Sequence, residues 1–193
     1  DCDGIPAVKP KIFDPDEAEQ LRSRCHGNEA IVTSVKETEK KVKAPKLYDL
    51  TTLQREANRI YGMTAKQTLD TAQSLYEKKL ITYPRTDSQY LTEDMEQTAR
   101  NVVRQIYEKY QLTGPFDQPE QPDVKKVMNN SKVTDHHAII PTMELASSHL
   151  DELKSWEEKI LFLIAVHTVM AMSKAHIYQE TEIEVECQGE IFK

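Results

Sequence analysis

Leu80-Ile81-Thr82-Tyr83-Pro84-Arg85-Thr86-Asp87-Ser88-Gln89-Tyr90-Leu91 is the stretch around which the rest of the chain arranges itself. A tyrosine follows a short apolar run and stands two residues before an arginine, with a proline between them. Proline fixes φ and donates no hydrogen bond, so the chain is expected to leave a short strand here and turn. Residues two apart in an extended segment point the same way, which would send Tyr83 and Arg85 into one space. A guanidinium so placed favours a phenolate over a phenol and grips a phosphate through paired N–H bonds. On these residues alone, the plainer reading has the better claim: a half-buried tyrosine and a solvated arginine in a turn.

Upstream, Thr51 or Thr52 is positioned to cap a helix running through Tyr61 and stopping at Gly62. Thr64 caps a second helix to about Lys79, with Gln67 at the capping-box position and Leu69, Ala72, Leu75 and Tyr76 packing at helical spacing. Helix, glycine turn, helix and strand together resemble a helix-turn-helix or winged-helix-like unit, which would deliver Tyr83 from the end of a rigid helix onto a short strand. Downstream, Thr92 to Gln111 is a further helix, and Leu112 to Lys132, rich in proline and charge, is a loop. Ser155 with Glu158 makes a capping box that opens the most apolar helix, Trp156 to Met172, the expected core. His167 on that helix reads as a core histidine with a hydrogen-bond partner.

The ends differ from the middle. Phe13 to His26 is a short helix with Asp14 as N-cap and Pro15 at its first position, which accounts for Asp14-Pro15-Asp16 better than a metal-binding pair does. Glu29 to Lys43 alternates through Ile31, Thr33 and Val35 before running into Lys and Glu. His176 to Cys187 sets Thr181, Ile183, Val185 and Cys187 against Glu180, Glu182, Glu184 and Glu186, the pattern of a strand buried on one face. Gly189 starts a turn, and Glu190 to Lys193 opens another strand. The expected fold class is therefore α+β: a mainly helical domain, residues 46–175, with its winged-helix-like unit, inserted into a partial β domain made of residues 1–45 and the returning strand 176–193.

The chain has 193 residues, enough for one good-sized domain with a real core, and 38% hydrophobic against 30% charged residues is ordinary for a globular protein. No apolar run approaches the roughly 20 residues of a membrane helix. There is no signal-peptide pattern and no initiating Met, so Asp1 reads as an internal start within a longer chain. Cys2, Cys25 and Cys187 form no C-x-x-C pair and read as reduced thiols of a cytosolic protein. A net charge of −7 argues against a general nucleic-acid binder. The charge is uneven, with eleven basic and eight acidic residues from Asn28 to Tyr90 and ten basic and eighteen acidic from Leu91 to Lys193. Any contact with a polyanion should therefore be local, near Tyr83. No G-x-x-x-x-G-K-[ST] phosphate loop is present.

Three segments in order carry a family resemblance. Lys79 to Leu91, K-L-I-T-Y-P-R-T-D-S-Q-Y-L, resembles the active-site tyrosine segment of type IA DNA topoisomerases, in the form of the topoisomerase III branch. Thr134 to Thr142, T-D-H-H-A-I-I-P-T, resembles the active-site histidine segment, and Ala44 to Arg59 the family's lead-in. The resemblance implies Tyr83 as nucleophile on single-stranded DNA, Arg85 as the group that stabilises charge on the scissile phosphate, and His136 as a phosphate contact or positioning group. His137, Thr86 and Ser88 are possible substrate contacts, although Thr86 and Ser88 suit turn capping better. Tyr90 packs or stacks on a base. The resemblance further implies Mg²⁺ held by a Toprim domain and a single-strand groove in another domain, neither recognisable here, with no ATP required. It implies a cytoplasmic, nucleoid-associated enzyme whose gate-hinge domain supplies the bracketing strands.

Two other readings compete. A tyrosine recombinase also combines Arg, His and Tyr, but its tyrosine follows its other catalytic residues, whereas Tyr83 precedes His136. A winged-helix-like DNA-binding or protein-interaction module would have Tyr83 merely packed.

Overall fold

The computed structural model describes residues 12–112 and 122–193. Its elements run α1 (Pro15–Cys25), β1 (Ile31–Val42), α2 (Leu50–Tyr61), α3 (Ala65–Glu77), α4 (Glu96–Tyr110), α5 (Ser155–Ala171), β2 (His176–Cys187) and β3 (Glu190–Phe192), with short 3₁₀ turns between α4 and α5. Helices are thus combined with one small sheet. The chain divides into two compact units, one formed by the ends, up to Val42 and from His176, the other by Lys43–Ala175. Cys2 and the middle of the proline-rich segment lie outside the described residues. Among the described residues, no helix is long and apolar enough to cross a membrane.

In the Lys43–Ala175 unit, α5 supplies the centre: Ile160, Leu161, Ile164, Ala165 and Val169 are buried. Leu53 and Ala57 of α2, Ala72 and Leu75 of α3, and Val102 and Ile106 of α4 complete the same core. Each buried Leu, Ile or Val side chain among them contributes about 1.5–3 kcal/mol by leaving water. Polar groups brace the apolar ones. Glu157 of α5, almost wholly buried, accepts from Ser74 Oγ and from Lys78 Nζ, each at 2.7 Å, and from the backbone N–H of Lys154 at 2.9 Å. Burial pushes its carboxyl upward, but the hydrogen bonds from Lys78, Ser74 and Lys154 prevail and hold it down at about 2. This clasp ties α3 to α5. His167 Nε2 lies 2.7 Å from the Lys46 carbonyl and its ring stacks on Tyr48 at 3.7 Å. Burial lowers its pKa against the opposing pull of that carbonyl and Glu56, so the neutral ring that donates from Nε2 is the favoured form.

Several local expectations shift. The cap of α2 is Asp49 rather than Thr51 or Thr52: its carboxylate takes the Thr52 N–H at 2.7 Å while the Thr52 hydroxyl takes the Asp49 N–H at 3.1 Å. Gly62 ends that helix at φ 68°, and Thr64 with Gln67 boxes α3. On α5 the cap falls at Lys154, one residue before the Ser155 frame, because Glu157 rather than Glu158 is drawn inward. The segment before Lys132 is not wholly loop, since a 3₁₀ turn at Val124–Val127 buries both valines. Among the described residues, no strand stands directly after α3, where one was expected to carry Tyr83. Isolated bridges, Ile81 with Pro141, Tyr48 with Ile139 and Leu91 with Met128, stand where a winged-helix unit would have ladders.

In the other unit, β1 and β2 pair antiparallel and β3 folds back on β2 through Gln188 and Gly189, both at positive φ. That is the geometry of a two-residue turn matched to strand twist. The alternation of β2 is present, but its apolar face is not covered: Ile31, Val32, Val35 and Ile183 are all about half exposed or more. α1 has no buried residue of its own and meets the sheet at its last turn, where Cys25 lies against Cys187 and Arg24 pairs with Glu190. Among the described residues of this unit only Cys187 is buried, with its Sγ 3.8 Å from the Cys25 carbonyl and Cys25 Sγ 3.7 Å from the Cys187 carbonyl, both thiols free.

Candidate active site

α3 ends in a Schellman motif, with Leu80 N–H on the Leu75 carbonyl at 2.9 Å and Lys79 N–H on the Tyr76 carbonyl at 2.8 Å. Lys79 occupies the left-handed position at φ 61°. The chain then enters Ile81 and Thr82, which are laced to the Ala138–Thr142 segment. Thr82 N–H donates to Ile140 O at 2.9 Å, Thr142 N–H to Leu80 O at 3.0 Å, and Thr82 Oγ1 to Ala138 O at 2.9 Å. Ile139 N–H bonds Tyr48 O at 2.8 Å, so the Tyr48 segment joins the same lacing. Apolar anchoring holds it: Ile81, Ala138, Ile139 and Ile140 are buried.

This lacing brings Tyr83 to His136. Their ring centroids lie 4.3 Å apart, tilted by 44°. The edge of Tyr76, from the last turn of α3, meets Tyr83 on another side at 5.3 Å and 76°. Such edge-on aromatic contacts contribute about 0.5–1.5 kcal/mol and restrict the ring. Tyr83 is half-buried, while Arg85 and His136 are exposed. Arg85 has no hydrogen bond or carboxylate partner among the described residues, so its guanidinium is uncommitted. The chain bends at Pro84 and Arg85, where a turn was expected, but only the isolated bridge at Ile81 stands in place of the short strand before it, so same-face projection along a strand does not apply to Tyr83 and Arg85.

The neighbours are structural. Thr86 Oγ1 donates to the His136 carbonyl at 3.0 Å across fifty residues of sequence, and Ser88 Oγ donates to the Lys132 carbonyl at 2.8 Å. Both residues are buried. Both hydroxyls donate to main-chain carbonyls, which ties the segment after Tyr83 to the Lys132–His136 segment. His137 is half-buried with Nδ1 2.9 Å from the Ala138 carbonyl. Of the two histidines, His136 is the one that meets Tyr83. Tyr76, read from sequence as a packing residue, is 39% exposed and lies against the tyrosine; helical spacing alone gave no sign of it. Tyr90 has Lys132 Nζ 5.1 Å and Lys46 Nζ 5.6 Å from its ring centroid.

The arrangement offers a restrained phenol, an imidazole at its face and a free guanidinium two residues on, a set suited to engaging a phosphate ester. Among the described residues, no group of three or more His, Cys, Asp or Glu is placed to hold a metal ion.

Comparison with known proteins gives an independent reading. A family model described as DNA topoisomerase matches residues 6–193. The DNA topoisomerase 3 of Bacillus subtilis (strain 168) is 39% identical over 185 residues, covering 94% of this chain and 25% of that protein. The DNA topoisomerase 3 of Vibrio cholerae is 38% identical over 176 residues, covering 90% of this chain and 27% of that protein. The solved structure of full-length topoisomerase I from Thermotoga maritima matches with a TM-score of 0.65 at 27% identity, over 95% of this chain and 29% of that one. The chain thus spans about a quarter of the length of the curated relatives it matches.

Proposed function

Since the chain belongs to the type IA DNA topoisomerase family, on the topoisomerase III side, we propose that it is the tyrosine-bearing part of an enzyme that cuts and rejoins single-stranded DNA. Tyr83 Oη attacks a backbone phosphorus while the bond from phosphorus to the 3′ oxygen breaks. The phosphate stays on the tyrosine, linked to the 5′ side of the downstream strand. The phenol loses a proton and the released 3′ oxygen gains one, so the exchange is balanced. Resealing is the reverse attack by the 3′ hydroxyl, and because the covalent link conserves the bond, no ATP is consumed.

Arg85 stabilises the charge that grows on the phosphate oxygens. Losing a contact of that kind costs about 3 kcal/mol of barrier, roughly a hundredfold. His136 positions the ring and contacts the phosphate. The observation that carries the reading is the meeting of Tyr83 with His136 at 4.3 Å, through segments that the main chain laces together. Metal binding, activation of the phenol and most of the strand groove belong to parts outside these residues. The 193-residue chain alone therefore relaxes no supercoils.

The test uses the gene extended through its remaining domains, with 5′-labelled and 3′-labelled single-stranded oligonucleotides, Mg²⁺ and a denaturing stop. Label is expected on the protein only when it lies 3′ of the cut, and Tyr83→Phe abolishes it. An adduct of the opposite polarity would replace this reading with a recombinase-like one, and no adduct at all would leave a binding module.

A further inference from the structure

We propose that Lys46, Tyr90 and Lys132 form a second subsite, for a backbone phosphate of single-stranded DNA beyond the one at Tyr83; the proposal rests on the function inferred above.

Three observations lead there. Two ammonium groups are held over one ring, at 5.6 Å and 5.1 Å, although each interaction with the ring at an exposed site is worth only about 0.5–1 kcal/mol and the two cations repel each other. Both lysines are exposed, and neither has a carboxylate partner among the described residues. In a chain of net charge −7, two ammonium groups brought to one ring have no acid beside them among the described residues. A phosphodiester would supply the anion.

The frame beneath them is rigid. Tyr90 N–H donates to Ser88 Oγ at 3.2 Å, Ser88 Oγ donates to the Lys132 carbonyl at 2.8 Å, and the Tyr90 carbonyl accepts from Ala138 N–H at 2.9 Å. Ser88 thereby fixes Tyr90 relative to Lys132, while Ala138, two residues after His136, fixes Tyr90 to the segment that meets Tyr83. Lys46 comes from the third laced segment, two residues before Tyr48. The subsite and the tyrosine site are built on the same three pieces of main chain. A strand engaged at Tyr83 would meet this pair of ammonium groups on the same laced segments. With ammonium groups over the Tyr90 ring, the group it favours nearby is an anion rather than a stacked base.

The experiment measures single-stranded DNA affinity of the full-length protein against salt concentration, for wild type, Lys46→Gln/Lys132→Gln and Lys46→Arg/Lys132→Arg. A phosphate released from the subsite lowers the magnitude of the log–log slope by about 0.7. The glutamine pair is expected to show that loss, equally for oligonucleotides of different sequence, while the arginine pair keeps the wild-type slope. Wild type and Tyr83→Phe are assayed for the covalent adduct alongside. A Tyr83-dependent adduct with an unchanged slope in the glutamine pair overturns the subsite and leaves the reaction standing. A slope lost equally in the arginine pair also overturns it, by tracing the effect to folding rather than charge. No adduct in wild type overturns the reaction and the subsite with it.

Discussion

The two units of this chain bury their apolar residues to opposite extents. In the Lys43–Ala175 unit, Ile164 of α5 is fully buried among the helices; in the unit made by the chain ends, Ile183 of β2 is 46% exposed. Both isoleucines sit where sequence periodicity calls for burial. A helical pattern is satisfied when a few helices fold onto one another, and α2 to α5 do that within about 130 residues. A one-face strand pattern needs a second layer, and among the described residues the three-stranded sheet meets one short helix only at Cys187 and Glu190. Alternation in a strand therefore states which face wants cover, and says nothing about whether the cover lies in the same piece of chain.

Matched truncations are the strongest way to break that contrast. In the 193-residue chain, Ile164→Ala should cost about 4 kcal/mol by urea unfolding, the sum of lost transfer energy and a cavity among packed helices. Ile183→Ala should cost under about 0.5 kcal/mol, since most of what it loses is already in water. Equal costs would mean that the hairpin face is packed as tightly as the helical core, and the contrast would be gone.

Glu157 gives the next largest effect, about 3 kcal/mol for Glu157→Ala, because Ser74 and Lys78 would keep a pocket built for a charge that has been removed. Its acid response has a definite sign. The folded carboxyl is held at about 2 and an unfolded glutamate titrates near 4.3, so the stabilisation is present in full above that upper value and is lost as pH falls towards 2. Unfolding measured at pH 6 and pH 3 should show wild type losing more stability than Glu157→Gln over that interval. A parallel decline in the two would remove the clasp from the account of how α3 is held.

Much of this was legible in the residues themselves. Asp14 with Pro15, Gly62, and Thr64 with Gln67 set helix ends by local chemistry, and the structure has those ends. The bounds of β2 follow from strict alternation. What sequence could not carry was anything decided by a distant partner. Glu157 is the capping residue of α5 because Ser74 and Lys78, some eighty positions away, give its charge a place to go. Thr86 serves the His136 carbonyl for the same reason. At the site, the motif pointed to Tyr83 and His136, and their meeting depends on isolated bridges that have no periodic signature. Tyr76 fell on the apolar stripe of α3, and nothing in that spacing distinguishes a residue that packs inward from one that leans on the tyrosine seven positions on.

Lys79 offers the smallest and most local test. It fills the left-handed position of the Schellman motif, where a side chain carrying Cβ costs about 1 kcal/mol relative to glycine. Both hydrogen bonds of the motif are made by backbone, and its apolar contact is made by Leu75 and Leu80, so the lysine side chain is not needed to close it. Lys79→Gly also frees the unfolded chain, which offsets part of the gain. The net expectation is a rise in stability of about 0.5 kcal/mol, read by urea unfolding, confined to the helical unit. The functional consequence runs the other way if the strain matters: Lys79 lies four residues before Tyr83, and a relaxed turn would let the tyrosine segment sample more positions. A full-length Lys79→Gly protein that is more stable yet forms the Tyr83 adduct more slowly would place stored strain at this turn in the service of the site. Unchanged adduct formation would make the turn a helix end and nothing more.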